Sequence, residues 1–228
     1  MQVARDIFGT IGEIGVHHGW FFAVLASCAK SCESLFACDI FGDGSLNIDR
    51  SGNGSLEHFL TNAANAGVNG RINVFDTSSV FLLEQYDLPP IRMLSIDGGH
   101  TQTLTYNDLL FASCVLSEGG VVFLDDFMNT GWRGVQRGFS AFLVYHYQGR
   151  LIPFSFYHVK LKSLKWPIKT ESKLLFTTRG HVTSYQESLL RAFPKSSLVN
   201  SSVLRWAFED RVNGEYIRSK FPLVHIML

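Results

Sequence analysis

The segment IRMLSIDGGHTQTLTYNDLLFASCVLSEGGVVFLDDF, residues 91–127, alternates apolar runs with polar breaks in the order strand, loop, helix, turn, strand. Both apolar strands end abruptly in carboxylates, Asp97 after the first and Asp125–Asp126 after the second. The helix is expected over Leu104 to Leu116, with Leu104, Leu109, Ala112 and Leu116 near one face. Glu118-Gly119-Gly120 is expected to turn the chain into the second strand. Parallel strands of an open α/β sheet end at one edge, and ligands bind there. Three carboxylates would then converge on one crevice, with His100 beside them on the first loop. Gathering three negative charges away from water is costly unless a cation or a shared proton compensates. A hard divalent metal meets that need best, and oxygen-only ligands select Mg²⁺, Ca²⁺ or Mn²⁺ over zinc.

Upstream, the same alternation continues. Ile11 to Val16 reads as a strand running through a glycine turn into the apolar helix HHGWFFAVLASCAK. That arrangement cradles a nucleotide or nucleoside. The glycines Gly12, Gly15 and Gly19 are not spaced as GxGxxG, and Val16, His17 and His18 crowd the turn, which disfavours a dinucleotide and an NAD-dependent oxidoreductase. Ser34 to Ile40 is a second strand ending in Asp39, an acid placed to accept hydrogen bonds from ribose hydroxyls. After a Gly/Asn/Asp/Ser loop over 42–54, a helix is expected over Leu56 to Ala66, with Ser55 as its N-cap and Gly67 as its stop. A third strand, Arg71 to Phe75, ends at Asp76-Thr77-Ser78 and is followed by a short helix over Val80 to Tyr86. Downstream, a helix over Val135 to Tyr147 precedes two late strands, Leu151 to Val159 and Lys173 to Thr178, joined by a basic connection carrying Trp166. A helix over Val182 to Phe193 and another near Ser202 to Arg211 complete the chain. Strands alternating with helices in this way imply an α/β fold with a doubly wound, mostly parallel sheet.

The bulk properties agree. With 228 residues, 46% apolar and 18% charged, the chain suits one well-filled domain rather than a disordered one. Lys+Arg and Asp+Glu balance at 20 each, which argues against a nucleic-acid or anionic-membrane partner. The early apolar run Trp20 to Ala26 falls far short of the roughly 20 residues of a membrane span, and no signal peptide is expected. Cys28, Cys32, Cys38 and Cys114 lack zinc-site spacing, so reduced, buried thiols in a cytoplasmic protein are expected.

The stretches EIGVHHG (13–19), CDI (38–40), SIDGGHTQTLTYNDL (95–109) and LSEGGVVFLDDF (116–127) together resemble class I S-adenosylmethionine-dependent methyltransferases. Within that class they are similar to the metal-dependent small-molecule O-methyltransferases that include macrolide-sugar and cephalosporin-pathway enzymes. The resemblance covers roughly residues 11–148 and is strongest in 91–127. It implies a Rossmann-like, seven-stranded methyltransferase fold whose last strand is antiparallel. It implies S-adenosylmethionine bound over Glu13, Gly15, Val16, His17 and Gly19, with Asp39 and Ile40 beside the ribose and Asp76, Thr77 and Ser78 near the adenine. Asp97 would face the cofactor, take part in catalysis and join Asp125 and Asp126 in holding Mg²⁺, with His100 as general base.

The domain is expected over residues 1–180, with 181–228 as its helical extension. The acceptor would be a small hydroxylated molecule, a sugar or a phenol, and a homo-oligomer is compatible with this reading. Relatives of this type carry covering helices before the first strand, whereas ten residues precede it here. The alternative reading is therefore a non-catalytic, S-adenosylmethionine-binding subunit completed by a partner chain. His17 and His18 are expected near the cofactor but not as catalysts, Trp20 and Trp132 as packing residues, and Lys160, Lys162, Lys165 and Lys169 as a solvated connection.

Overall fold

Successive side chains on a strand face opposite sides of a sheet, and the central strands of this protein use both sides for core. The computed structural model describes residues 2, 5–68, 71–146, 148–161 and 169–192. Its strands are β1 (Thr10–Ile14), β2 (Leu35–Asp39), β3 (Ile72–Asp76), β4 (Ile91–Ile96), β5 (Leu116–Asp125), β6 (Ile152–Leu161) and β7 (Lys169–Thr177). They form one seven-stranded sheet in the order β3-β2-β1-β4-β5-β7-β6. The first five strands pair in parallel. Only β7 opposes its neighbours, inserted between β5 and β6. This is the doubly wound, methyltransferase-type sheet with an antiparallel last strand.

Alternate residues sort cleanly between the two layers. Phe36, Cys38, Leu94, Ile96, Val122 and Leu124 pack with buried residues of the helices Gln102–Val115 and Arg133–Tyr145. On the other side, Ile11, Leu35 and Ala37 pack with α1 (Trp20–Ser27) and α2 (Leu56–Asn65). Between them in sequence, a 3₁₀ turn at Ser79–Phe81 runs into the short α3 (Leu82–Gln85). The helices after β4 and β5 are α4 (Gln102–Val115) and α5 (Arg133–Tyr145), and α6 (Val182–Ala192) packs over β5 and β6 through Val182 and Tyr185. The expected cap forms, with Ser55 accepting the amide of His58 at 3.3 Å; α4 opens earlier than expected, capped by Thr101, which accepts the amide of Leu104 at 3.2 Å.

Three sequence expectations are corrected. Glu118-Gly119-Gly120 is not a turn but a bulge inside β5: Leu116 already pairs with Ile91, and pairing resumes at Val121 with Met93. Glycine serves there because Gly119 has φ 74° and a Cβ on Gly120 would lie 2.9 Å from the Ile91 carbonyl oxygen. The α4 face is also different, because Asp108 is fully buried beside Leu109, Phe111 and Ala112, while Leu116 belongs to β5. Finally, all four cysteines are free, but only Cys38 is buried; Cys28 ends α1 and, like Cys32 and Cys114, is exposed. The basic connection with Trp166, Lys162 and Lys165, and the helix expected near Ser202 to Arg211, lie outside the described residues.

At the amino-terminal edge of the sheet, Arg92 and Glu33 form an ion pair with side chains 2% exposed and Nε to Oε1 at 2.5 Å. Arg92 also donates to the Cys28 carbonyl at 2.8 Å and to Gln2 at 2.7 Å, while Glu33 accepts the amides of Gly9 and Lys30. Burial alone would raise the Glu33 pKa, but these hydrogen bonds hold it below the ordinary range. This edge is structural, which leaves the carboxyl edge for ligands. Among the described residues no helix is long and apolar enough to cross a membrane.

Candidate active site

The carboxyl ends of β1, β2, β4 and β5 open into a cavity of about 660 Å³. Its floor is set where β1 and β4 end together. Asp97 donates its amide to the Ile14 carbonyl at 2.8 Å, and Gly15 donates to that of Cys38 at 2.7 Å. Gly15 has φ 84°, and a Cβ there would lie 2.0 Å from the Asp97 carbonyl oxygen, so only glycine permits this approach.

Of the residues expected to meet the cofactor, Glu13, Gly15, Val16, His17, Asp39, Ile40, Thr77 and Ser78 line the cavity. Gly19 stands at the N-cap of α1. Asp76 pairs with Asp39 across β3 and β2 but is exposed and does not border the cavity. The Asp39 carboxylate accepts the amides of His17 at 2.7 Å and Phe41 at 2.6 Å. Each of its oxygens keeps a lone pair for further donors such as ribose hydroxyls. Glu13 is 2% exposed, and its Oε2 lacks a hydrogen-bond partner. Burial dominates its titration and pushes the pKa from 4.5 up to about 8.

On the acidic side, the structure brings Asp97, His100 and Asp126 together, with one ligand atom of each within 4.8 Å of the others. His100 Nε2 lies 3.1 Å from Asp126 Oδ2 and 4.0 Å from Asp97 Oδ1. Asp125 is drawn instead into an ion pair with Lys173, its register partner on β7. The Lys173 ammonium also sits 4.3 Å above the Phe21 ring. Burial and the charge of Asp125 push the Asp97 carboxyl well above the ordinary pKa range, with Lys173 opposing. Burial would do the same to Asp126, but its contacts with His100 and Asn129 bring it lower. Burial disfavours charged His100, yet the carboxylates of Asp126, Asp49 and Asp97 outweigh it and raise its pKa. The donor set suits a divalent cation: clustered carboxylate oxygens beside a buried imidazole nitrogen.

Several residues here were not foreseen. Lys173 lies in a late strand far from the acids in sequence, and the insertion of β7 beside β5 brings it to Asp125. Asp49 lies in the glycine-rich loop and touches His100, although nothing in the local sequence marks it. Trp132, expected as packing, stacks on the His100 ring at 4.4 Å between centroids. Trp20 is 75% exposed beside the cavity rather than packed.

A methyltransferase-domain family model matches residues 13–127, just over half of the chain. The chain belongs to that family, and with the fold just described it is a class I S-adenosylmethionine-dependent methyltransferase. Solved structures share the fold at low identity. The O-methyltransferase NovP is 16% identical with a TM-score of 0.57, over 78% of this chain and 75% of its own. An O-methyltransferase from Bacillus cereus, in complex with S-adenosylhomocysteine, is 17% identical with a TM-score of 0.52, covering 74% of each chain. A protein described as an rRNA methylase from Clostridium thermocellum is 15% identical with a TM-score of 0.51, over 74% of this chain and 88% of its own. No curated protein sequence matches the chain.

Proposed function

We propose that this methyltransferase transfers the methyl group of S-adenosylmethionine to a hydroxyl of a small acceptor, a sugar or a phenol, with His100 as general base. The observation that carries the reading is the placement of His100 Nε2, buried and without hydrogen-bond geometry, near Asp97 and Asp126 in the lining of the cavity. The sulfonium supplies a methyl carbon that is already electrophilic, so the protein must chiefly align the acceptor oxygen with it and accept a proton. Nε2 takes the hydroxyl proton as the oxygen–carbon bond forms and the carbon–sulfur bond breaks, releasing S-adenosylhomocysteine. Asp97 and Asp126 would hold a divalent cation, Mg²⁺ by resemblance, and Asp125 would complete the set on parting from Lys173. Bound there, the cation would orient the acceptor oxygen and lower its pKa.

Balanced charge, 20 basic against 20 acidic residues, favours a small acceptor over RNA. Four free cysteines suit the reducing cytoplasm. The test is calorimetric titration of S-adenosylhomocysteine into the full chain, with Mg²⁺ and with EDTA, followed by an acceptor screen. Binding in both conditions, with turnover that needs metal and is lost in Asp97→Ala, is the expected result. Full metal-dependent turnover by Asp97→Ala would overturn the role of Asp97, and no binding in either condition would overturn the cofactor assignment.

A further inference from the structure

His100 is gripped by a side chain to which the mechanism above gives no role. Asp49 lies in the loop over 41–54 between β2 and α2. Its Oδ2 accepts the backbone amide of His100 and faces ring Nδ1 at 3.1 Å. Its Oδ1 accepts the amide of Ser51 at 3.0 Å. Both side chains of the Asp49–His100 pair are only 10% exposed. Trp132 lies almost flat on the imidazole, with an interplanar angle of 17°. The ring is thus fixed by its own main chain, by a stack and by a carboxylate at one edge.

The chemistry of that edge decides the other. An ionised carboxylate only accepts hydrogen bonds, so a neutral imidazole facing it keeps its proton on Nδ1 and presents a bare lone pair at Nε2. Both oxygens of Asp49 act as acceptors, Oδ1 of the Ser51 amide and Oδ2 of the His100 amide. Nε2 is the nitrogen turned toward Asp126 and Asp97. The loop carrying Asp49 also lines the cavity through Leu46, Asn47 and Ile48. Its other side-chain bonds are local, as in Asn47 Nδ2 donating to the Gly52 carbonyl at 2.6 Å.

We propose that Asp49 is a positioning residue that fixes His100 as its Nδ1–H tautomer, leaving Nε2 free to take the acceptor's proton, and clasps the loop 41–54 to the base. The catalytic meaning rests on the reading of His100 given above; the tautomer itself does not. A single carboxylate would thereby couple a loop that lines the cavity to the ring nitrogen that takes the proton.

The test is long-range proton–nitrogen spectroscopy of the histidine rings in the ¹⁵N-labelled full chain, at alkaline pH where the ring is neutral. His100→Gln identifies the His100 signals among the eight histidines. The expected result is the Nδ1–H pattern in the wild type, its retention in Asp49→Asn, whose amide oxygen still accepts, and its exchange for the Nε2–H pattern in Asp49→Ala. An Nε2–H ring in the wild type, or an unchanged pattern in Asp49→Ala, would overturn the proposal. Should Asp49→Ala fail to fold, Asp49→Ser, with a hydroxyl too short to reach the ring, carries the same expectation. S-adenosylhomocysteine titration of the wild type separately tests the cofactor reading, whose failure would leave the tautomer result standing.

Discussion

Replacing Glu13 with Gln should make the protein more stable at neutral pH. Glu13 is buried at the end of β1, its Oε2 has no partner, and its pKa rises from 4.5 to about 8, chiefly because burial disfavours the charged form. The folded state therefore holds the proton more tightly than the unfolded state. Its stability is full below pH 4.5, falls as pH rises, and levels off above about 8. Each pKa unit is worth about 1.4 kcal/mol, so the whole fall amounts to about 5 kcal/mol, of which about 3 is already lost at pH 7. Gln has the same shape but no ionisation, so it should remove that slope and gain about 3 kcal/mol at pH 7. Urea unfolding of wild type and Glu13→Gln at acidic, neutral and alkaline pH measures the difference between the two curves. Parallel curves, with no widening gap as pH rises, would refute the reasoning. The retention of so costly a group fits the stability that functional sites give up.

Two further changes probe opposite edges of the sheet. Arg92→Ala leaves buried Glu33 without its ion-pair partner, and should cost about 3–5 kcal/mol in chemical denaturation. Lys173→Met removes the cation that neutralises Asp125, so calorimetry should show Mg²⁺ binding tightened by about tenfold or more. An unchanged Mg²⁺ affinity would mean that Lys173 and the metal do not compete for Asp125.

Much of this was legible in the sequence because it depends on short-range pattern. Apolar runs that break at Asp39, Asp97 and Asp125 give both the strands and the edge on which they end, and Ser55 sits at a helix start where its hydroxyl can cap. The glycine pair at 119–120 misled, since a bulge and a turn need the same backbone freedom and only the pairing of Leu116 with Ile91 tells them apart. The site's finer construction was hidden for another reason. Asp49 and His100 are 51 positions apart, and Lys173 meets Asp125 across 48, so each contact exists only through topology. Asp108 was missed because apolar periodicity along α4 says nothing about a carboxyl tucked beneath the Gly98 loop, where a Cβ on Gly98 would come within 3.4 Å of it.

The insertion of β7 between β5 and β6 has a consequence for biosynthesis. A chain made from its amino end can assemble β1 to β5 in parallel as each strand–helix unit emerges, yet β6 has no partner until the strand after it arrives. The same late strand brings the ammonium that answers Asp125. Until residue 173 has left the ribosome, the nascent domain holds Asp125 without its cation and one strand unpaired. Closure of the sheet and completion of the catalytic crevice are then a single event, and a chain stalled before β7 would carry neither.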